Sequence, residues 1–214
     1  SRTRKVMSTV HSMFATPLYH ENIGTLNQIK KDIVKKCVYD RNAVGHSDTD
    51  DKYLLDRPEL HSLKTKILNE VNKFTHEVIG ISDNVEFFIL NSWANRHRPG
   101  EYNTQHWHSN CVISGVYYMS VADDSGEIVF KQAHNHVSLF GEMIRFDFKE
   151  DHEQNSFNTE EYAFVPSDGD IFLFPWHVEH RVNPNRSKID RYSIAFNVWV
   201  KGVIGDGTCR LELR

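Results

Sequence analysis

No apolar run in this 214-residue chain approaches the roughly 18 residues needed to cross a bilayer as a helix. That argues against a membrane-spanning helix, and no signal-peptide pattern opens the sequence. Cysteine is scarce: Cys37, Cys111 and Cys209 are odd in number and far apart. Such usage suits a reducing compartment better than a disulfide framework, so a cytoplasmic protein is expected, or one of the host cytoplasm if a phage encodes it. Excess charge is lacking too. Twenty-five Lys and Arg stand against 29 Asp and Glu, a net charge of −4. A general nucleic-acid binder held by phosphate contacts is disfavoured, although a local basic groove remains compatible with this balance. There is no internal repeat and no low-complexity tract. What the chain has is enough apolar and aromatic residue, 39 % and 12 %, for a real core, and 13 histidines.

Two textures divide the sequence. Over residues 1–84 the pattern is mainly helical, an extension expected to pack on the core. MFATPLYH (13–20) reads as a short edge strand with a proline. TLNQIKKDIVKKC places Leu26, Ile29, Ile33 and Cys37 on one helical face, with Thr25 as N-cap. The polar stretch 40–58 reads as a loop. A second helix follows, with Leu60, Leu63, Ile67, Val71, Phe74 and Val78 as its stripe, Pro58 at its start and Gly80 at its end. From 85 to 214, short β-rich runs separated by Gly, Pro, Asn and Asp take over: VEFFILNSWANRH, VISGVYYMSV, GEIVFKQ, EMIRFDFK, EYAFVPS, GDIFLFPW and RYSIAFNVWV. Many short strands predict a sandwich or barrel, with the preceding helices buttressing one sheet.

The histidines must then be sorted. In an extended segment residues i and i+2 point the same way, so His106 and His108 in QHWHSN can face one point. A third ligand must come from elsewhere, and His180, after the strand ending at Pro175, is the preferred candidate over His177. Two ligands from one strand end and one from a distant strand leave positions open for substrates. Eleven residues later, alternation puts Arg191, Ser193 and Asn197 on one strand face, where a guanidinium fork beside a hydroxyl suits a carboxylate. AHNH (133–136) repeats the His-x-His spacing, but no Arg-x-Ser follows a partner, so His134 and His136 read as solvated surface. Asn110 is an alternative to His108 as the second ligand. Tyr117 and Tyr118 point to opposite faces, so one of them faces the interior. The four tryptophans, Trp93, Trp107, Trp176 and Trp199, read mainly as core or rim packing.

On these residues the chain resembles the 2-oxoglutarate/Fe(II)-dependent oxygenases, whose pattern is His-x-Asp/Glu, a distal His, then Arg-x-Ser on a late strand. NRHRPGEYNTQHWH is also similar to the stretch before the first ligand in the alkylated-nucleobase repair dioxygenases. FATPLY, HWHSNCVISGVYYM and FPWHVEHRVNPNRSKIDRYSIAFN resemble a group of small oxygenases from bacteria and phages in which His-x-His replaces His-x-Asp. The resemblance implies a mainly β fold, a double-stranded β-helix (jelly roll) buttressed by N-terminal helices. It implies Fe(II) held by His106, His108 and His180, 2-oxoglutarate as co-substrate with O2, and Asn95 and His97 touching that co-substrate. The implied activity is a dioxygenase, most simply a hydroxylase. A neutral His108 in place of a carboxylate removes one negative charge from the iron's ligands and alters its affinity and redox poise. Two other functions fit the same residues: a non-redox, cupin-like metal-binding jelly roll, and a 2-oxoglutarate-independent three-His dioxygenase. The substrate is open among small molecules, peptides and nucleobases, and the oligomeric state is open as well.

Overall fold

Two antiparallel β-sheets face each other, and helices cover the outer side of the larger one. The structure, a computed structural model, describes residues 11–12, 14–42, 45–131, 149, 151, 153, 155 and 157–214. The sequence readings for EMIRFDFK over 142–148 and for His134 and His136 lie outside the described residues.

The strands are β1 (Tyr19–Asn22), β2 (Tyr39–Arg41), β3 (Ser47–Thr49), β4 (Val85–His97), β5 (Asn103–His106), β6 (Ile113–Ser120), β7 (Ile128–Lys131), β8 (Glu161–Phe164), β9 (Asp170–Pro175), β10 (Glu179–Val182), β11 (Arg191–Ile204) and β12 (Leu211–Leu213); the helices are α1 (Gln28–Lys35) and α2 (His61–Asn72). The large sheet runs β1-β9-β6-β11-β4-β3-β2, with β12 added to β11, and the small one runs β5-β10-β7-β8. This is the expected jelly roll. Among the described residues no helix is long and apolar enough to cross a membrane.

Strand alternation makes two cores of the large sheet's two faces. On the outer face Tyr117, Ile194, Phe196 and Val198 pack with Leu60, Leu63, Ile67 and Val71 of α2 and the turn before it. On the inner face Val116, Tyr118, Phe172 and Phe174 meet Ile128 and Phe130 of the small sheet and Val178 just before β10. Alternation thus assigns the two tyrosines: Tyr117 donates its hydroxyl to the Gly24 carbonyl on the helical side, and Tyr118 is sealed between the sheets.

The N-terminal region contributes more than helices. The stretch read as a loop contains β2 and β3, and β3 lies on β4 through Ser47↔Arg96 and Asp48↔Asn95. A ladder is made of backbone groups, so polar residues can build an edge without apolar alternation. The first strand starts at Tyr19, beyond Pro17, and pairs with β9. α1 begins later than the spacing predicted. Asn27, not Thr25, is its cap, accepting from the Lys30 amide at 3.0 Å. This two-turn helix buries Val34 and leaves Ile29 exposed. The long helix is composite: a 3-10 turn Pro58–Leu60, then α2, then a π turn Lys73–Val78. The extra residue per turn in a π segment rotates Val78 out of the stripe and Thr75 into it, where its hydroxyl donates to the Val71 carbonyl at 2.9 Å. His180, expected after the strand ending at Pro175, lies on a strand of its own, β10.

Candidate metal centre and anion pocket

β10 pairs with β5 so that His180 and His106 are direct register partners. His108 arrives two residues later, its amide donating to the Trp176 carbonyl at 3.3 Å. The three rings converge. Their centroids are 4.3 Å apart for His106–His180, 5.1 Å for His106–His108 and 5.3 Å for His108–His180. One ring nitrogen from each lies within 4.8 Å of the others. His106 Nδ1 sits 2.8 Å from the Thr104 carbonyl and His180 Nδ1 3.1 Å from the Val178 carbonyl. A carbonyl can only accept, so both Nδ1 atoms carry the proton and both Nε2 lone pairs are left for a metal.

The electrostatics agree. Burial pushes His106 below its ordinary value. Burial first and the neighbouring His106 second bring His108 down to about 4. His180 lies well below the usual range through burial, then through His106 and His108. Three imidazoles that stay neutral at pH 7 are ready ligands and lose no proton on binding. The donor set therefore fits a borderline divalent ion such as Fe(II). His177 is exposed and lies outside the cluster, and Asn110 is exposed.

A cavity of about 460 Å³ opens from these rings, bounded by the inner faces of both sheets. On the large sheet the wall is built from cross-strand pairs of β11 and β4: Ser193↔Asn95, Ala195↔Trp93 and Asn197↔Asn91. The next pair toward the start of β11 is Arg191↔His97, and His97 closes the wall there. Arg191 lies just behind it, 1 % exposed. Its Nη1 donates to the Ser125 and Gly126 carbonyls, both at 2.9 Å, and its Nε has no partner. Among the described residues it has no carboxylate in salt-bridge range. Desolvation lowers its pKa accordingly. A buried guanidinium without a counter-charge is costly and invites an anion.

His97 is also incomplete: it is 2 % exposed and neither ring nitrogen finds a hydrogen bond. Burial, Arg191 and His46 all push it toward the neutral form. Its flat face is covered by His46, with centroids 4.6 Å apart and planes 8° from parallel. His46 Nε2 lies 3.1 Å from Asn95 Oδ1, which also accepts from the Trp93 indole at 3.0 Å.

Sequence reasoning missed several of these residues. Asn91 and Trp93 share the parity of Asn95 and His97, and counting back by twos along β4 would have found them. Asn103, whose buried Oδ1 is unpaired in the cavity wall, and His46 carry no such signal, because each arrives from a polar segment placed only by tertiary pairing.

Comparisons with known proteins bear on the family and the fold. The profile of a family described as "Putative 2OG-Fe(II) oxygenase" matches residues 91–197, the span from Asn91 to Asn197. No functionally curated protein matches the chain. Among solved structures, an oxidoreductase of the 2OG-Fe(II) oxygenase family from Burkholderia pseudomallei is similar at TM-score 0.53 and 16 % identity, covering 80 % of this chain and 76 % of that one. HygX from Streptomyces hygroscopicus, crystallised with nickel and 2-oxoglutarate, is similar at TM-score 0.55 and 11 % identity, covering 86 % and 83 %. A prolyl hydroxylase from Trichoplax adhaerens, in complex with a hypoxia-inducible-factor peptide fragment, is similar at TM-score 0.55 and 12 % identity, covering 86 % and 82 %. At these identities the structural likeness concerns the fold.

Proposed function

Because the chain belongs to the 2OG-Fe(II) oxygenase family, we propose that His106, His108 and His180 hold its Fe(II) and that Arg191, with Ser193, His97 and Asn95, receives its 2-oxoglutarate. The enzyme is a 2-oxoglutarate- and Fe(II)-dependent oxygenase. When bound, the iron and co-substrate together activate O2, and 2-oxoglutarate is converted to succinate and CO2 as a substrate is oxidised; hydroxylation is the simplest outcome.

The chain's own residues supply position and exclusion. The Thr104 and Val178 carbonyls fix the tautomers of His106 and His180 and aim their Nε2 atoms. The Ser125 and Gly126 carbonyls occupy one edge of the Arg191 guanidinium and leave the remainder for the far carboxylate of the diacid. His97, neutral and unpaired, has an N–H to offer the same ligand. Phe174 packs edge-on against His180 at 4.7 Å and keeps water from the ring.

The observation that carries this reading is Arg191: a fully buried cation, unmatched by any described carboxylate, on the strand face whose cavity leads to three converging histidines. Anaerobic titration of the Fe(II) protein with 2-oxoglutarate tests it, followed by assay of succinate on admitting oxygen. A spectral change and succinate formation support the reading. Iron binding without either would favour a metal-binding jelly roll.

A further inference from the structure

We propose that the molecule oxidised in this site is an anion: it brings one negatively charged group, a carboxylate or a phosphodiester, into the cavity beside the metal. The proposal rests on the oxygenase reading above and names the substrate class which that reading leaves open.

Residue 108 decides the charge of the loaded site. Among the described residues, His106, His108 and His180 form the only group of three or more His, Cys, Asp or Glu close enough to share an ion, and no carboxylate belongs to it. A ligating imidazole keeps a proton only on its far nitrogen and is neutral. These three ligands therefore leave both positive charges of a divalent ion in place. Arg191, 1 % exposed and held by the Ser125 and Gly126 carbonyls, adds a third. 2-Oxoglutarate is a dianion and cancels two of the three. Asp48 is the only acidic residue in the cavity wall among the described residues, and Lys52 in the same wall pairs with it at 2.5 Å. His46 and His97 change nothing while neutral and add positive charge if protonated. Once ion and co-substrate are in, one positive charge is left without a partner. Arg191 meets the far carboxylate of the diacid, so that remainder sits at the metal. A carboxylate at position 108 would cancel it, and this chain has none there.

The surroundings strengthen the pull of that charge. Val116, Ile128, Phe174 and Ala195 line the same cavity. Phe174 lies edge-on to His180, and the Trp93 ring lies 5.9 Å from His108 at 34°. Apolar walls lower the local dielectric, so a charge there acts more strongly than it would in water. An uncompensated charge in such a place is costly, and a guest carrying a single negative charge removes that cost.

The test uses the full chain loaded with Mn(II) and just enough 2-oxoglutarate to saturate it, at fixed ionic strength. The probes are two pairs of similar shape that differ by one charge: isobutyrate against isobutyramide, and dimethyl phosphate against trimethyl phosphate. Paramagnetic relaxation of probe methyl protons reports binding near the metal without turnover. At least one anion should bind at least about tenfold more tightly than its neutral partner. Which anion responds separates a carboxylate from a phosphodiester. His108→Asp, which supplies the missing charge, should erase most of that preference while Mn(II) is still held. His108→Glu serves if the shorter side chain loses the metal, and the preference in the wild-type chain decides if both do. Anionic and neutral probes bound alike, no response to any probe, or a preference unchanged in a metal-loaded His108 variant overturns the proposal. Displacement of the bound anion by an equal concentration of chloride would assign the charge to an inorganic ligand and overturn it too. Failure of the Mn(II) protein to bind 2-oxoglutarate would instead overturn the oxygenase reading.

Discussion

His106 and His180 are 74 residues apart in sequence and directly opposite each other in the ladder between β5 and β10, with ring centroids 4.3 Å apart. Backbone pairing, rather than a flexible loop, therefore sets the distance between two of the three histidines proposed to hold the metal. A site built on ladder hydrogen bonds is held tightly before any ion arrives, which is what a reactive centre with open positions requires.

Replacing His106 or His180 by Ala should abolish stoichiometric Fe(II) binding while the fold is kept. The loss should exceed the roughly 10- to 100-fold typical of removing an outer partner of a ligand. His177→Ala, an exposed position outside the cluster, should bind iron like wild type. Metal content after anaerobic reconstitution and gel filtration decides; iron retained in both ligand variants would mean that the centre is elsewhere.

Arg191→Leu should raise the 2-oxoglutarate dissociation constant steeply and leave Fe(II) binding intact. A buried carboxylate without its cationic partner costs on the order of 3–5 kcal/mol, roughly a hundredfold or more in affinity. Arg191→Lys should recover only part, since a point charge cannot reproduce the fork. Equal affinities across wild type and both variants would make Arg191 structural.

Gly126→Ala probes how that guanidinium is held. Gly126 has φ +92°, and a Cβ there would stand 2.2 Å from the Asn183 carbonyl oxygen. The turn must move, and with it the two carbonyls that bind Arg191 Nη1. A stability loss above about 1 kcal/mol is expected, together with weakened 2-oxoglutarate binding. Denaturant unfolding and the anaerobic titration measure the two effects separately.

Acidification should destabilise the metal-free protein. His46, His97, His106, His108 and His180 all have pKa values lowered in the fold, in each case mainly by burial. Below about pH 6.5 the unfolded chain takes up protons that the folded one refuses, so stability falls as pH drops through that value. For His108 the loss continues to about pH 4, where the folded ring protonates as well. Denaturant midpoints at pH 7.5 and pH 5 check the sign, and a midpoint that rises on acidification would contradict the buried, neutral cluster.

The sequence by itself determined the β-rich core, the histidines to compare and the face that Arg191, Ser193 and Asn197 share. Each of these rests on a short period or a fixed spacing that local geometry imposes on the backbone. The strand over Val85–His97 was legible to the residue as one β-rich run, although its alternation changes parity at the bulge beside Leu90, where Val198 pairs with Ile89 and Asn197 with Asn91. Only the tertiary structure decided what backbone pairing alone supplies. Ser47–Thr49 is polar and patternless, yet becomes a strand because β4 offers it a free edge, and that edge brings His46 onto His97. His180, which its spacing to Arg191 already favoured over His177, meets His106 because β10 lies between β5 and β7, a register that no local signal encodes. Val78 leaves its stripe because α2 widens into a π turn. Periodicity reports which way a side chain points along its own element; which elements become neighbours depends on burying two faces of one sheet at once, and that is a property of the whole chain.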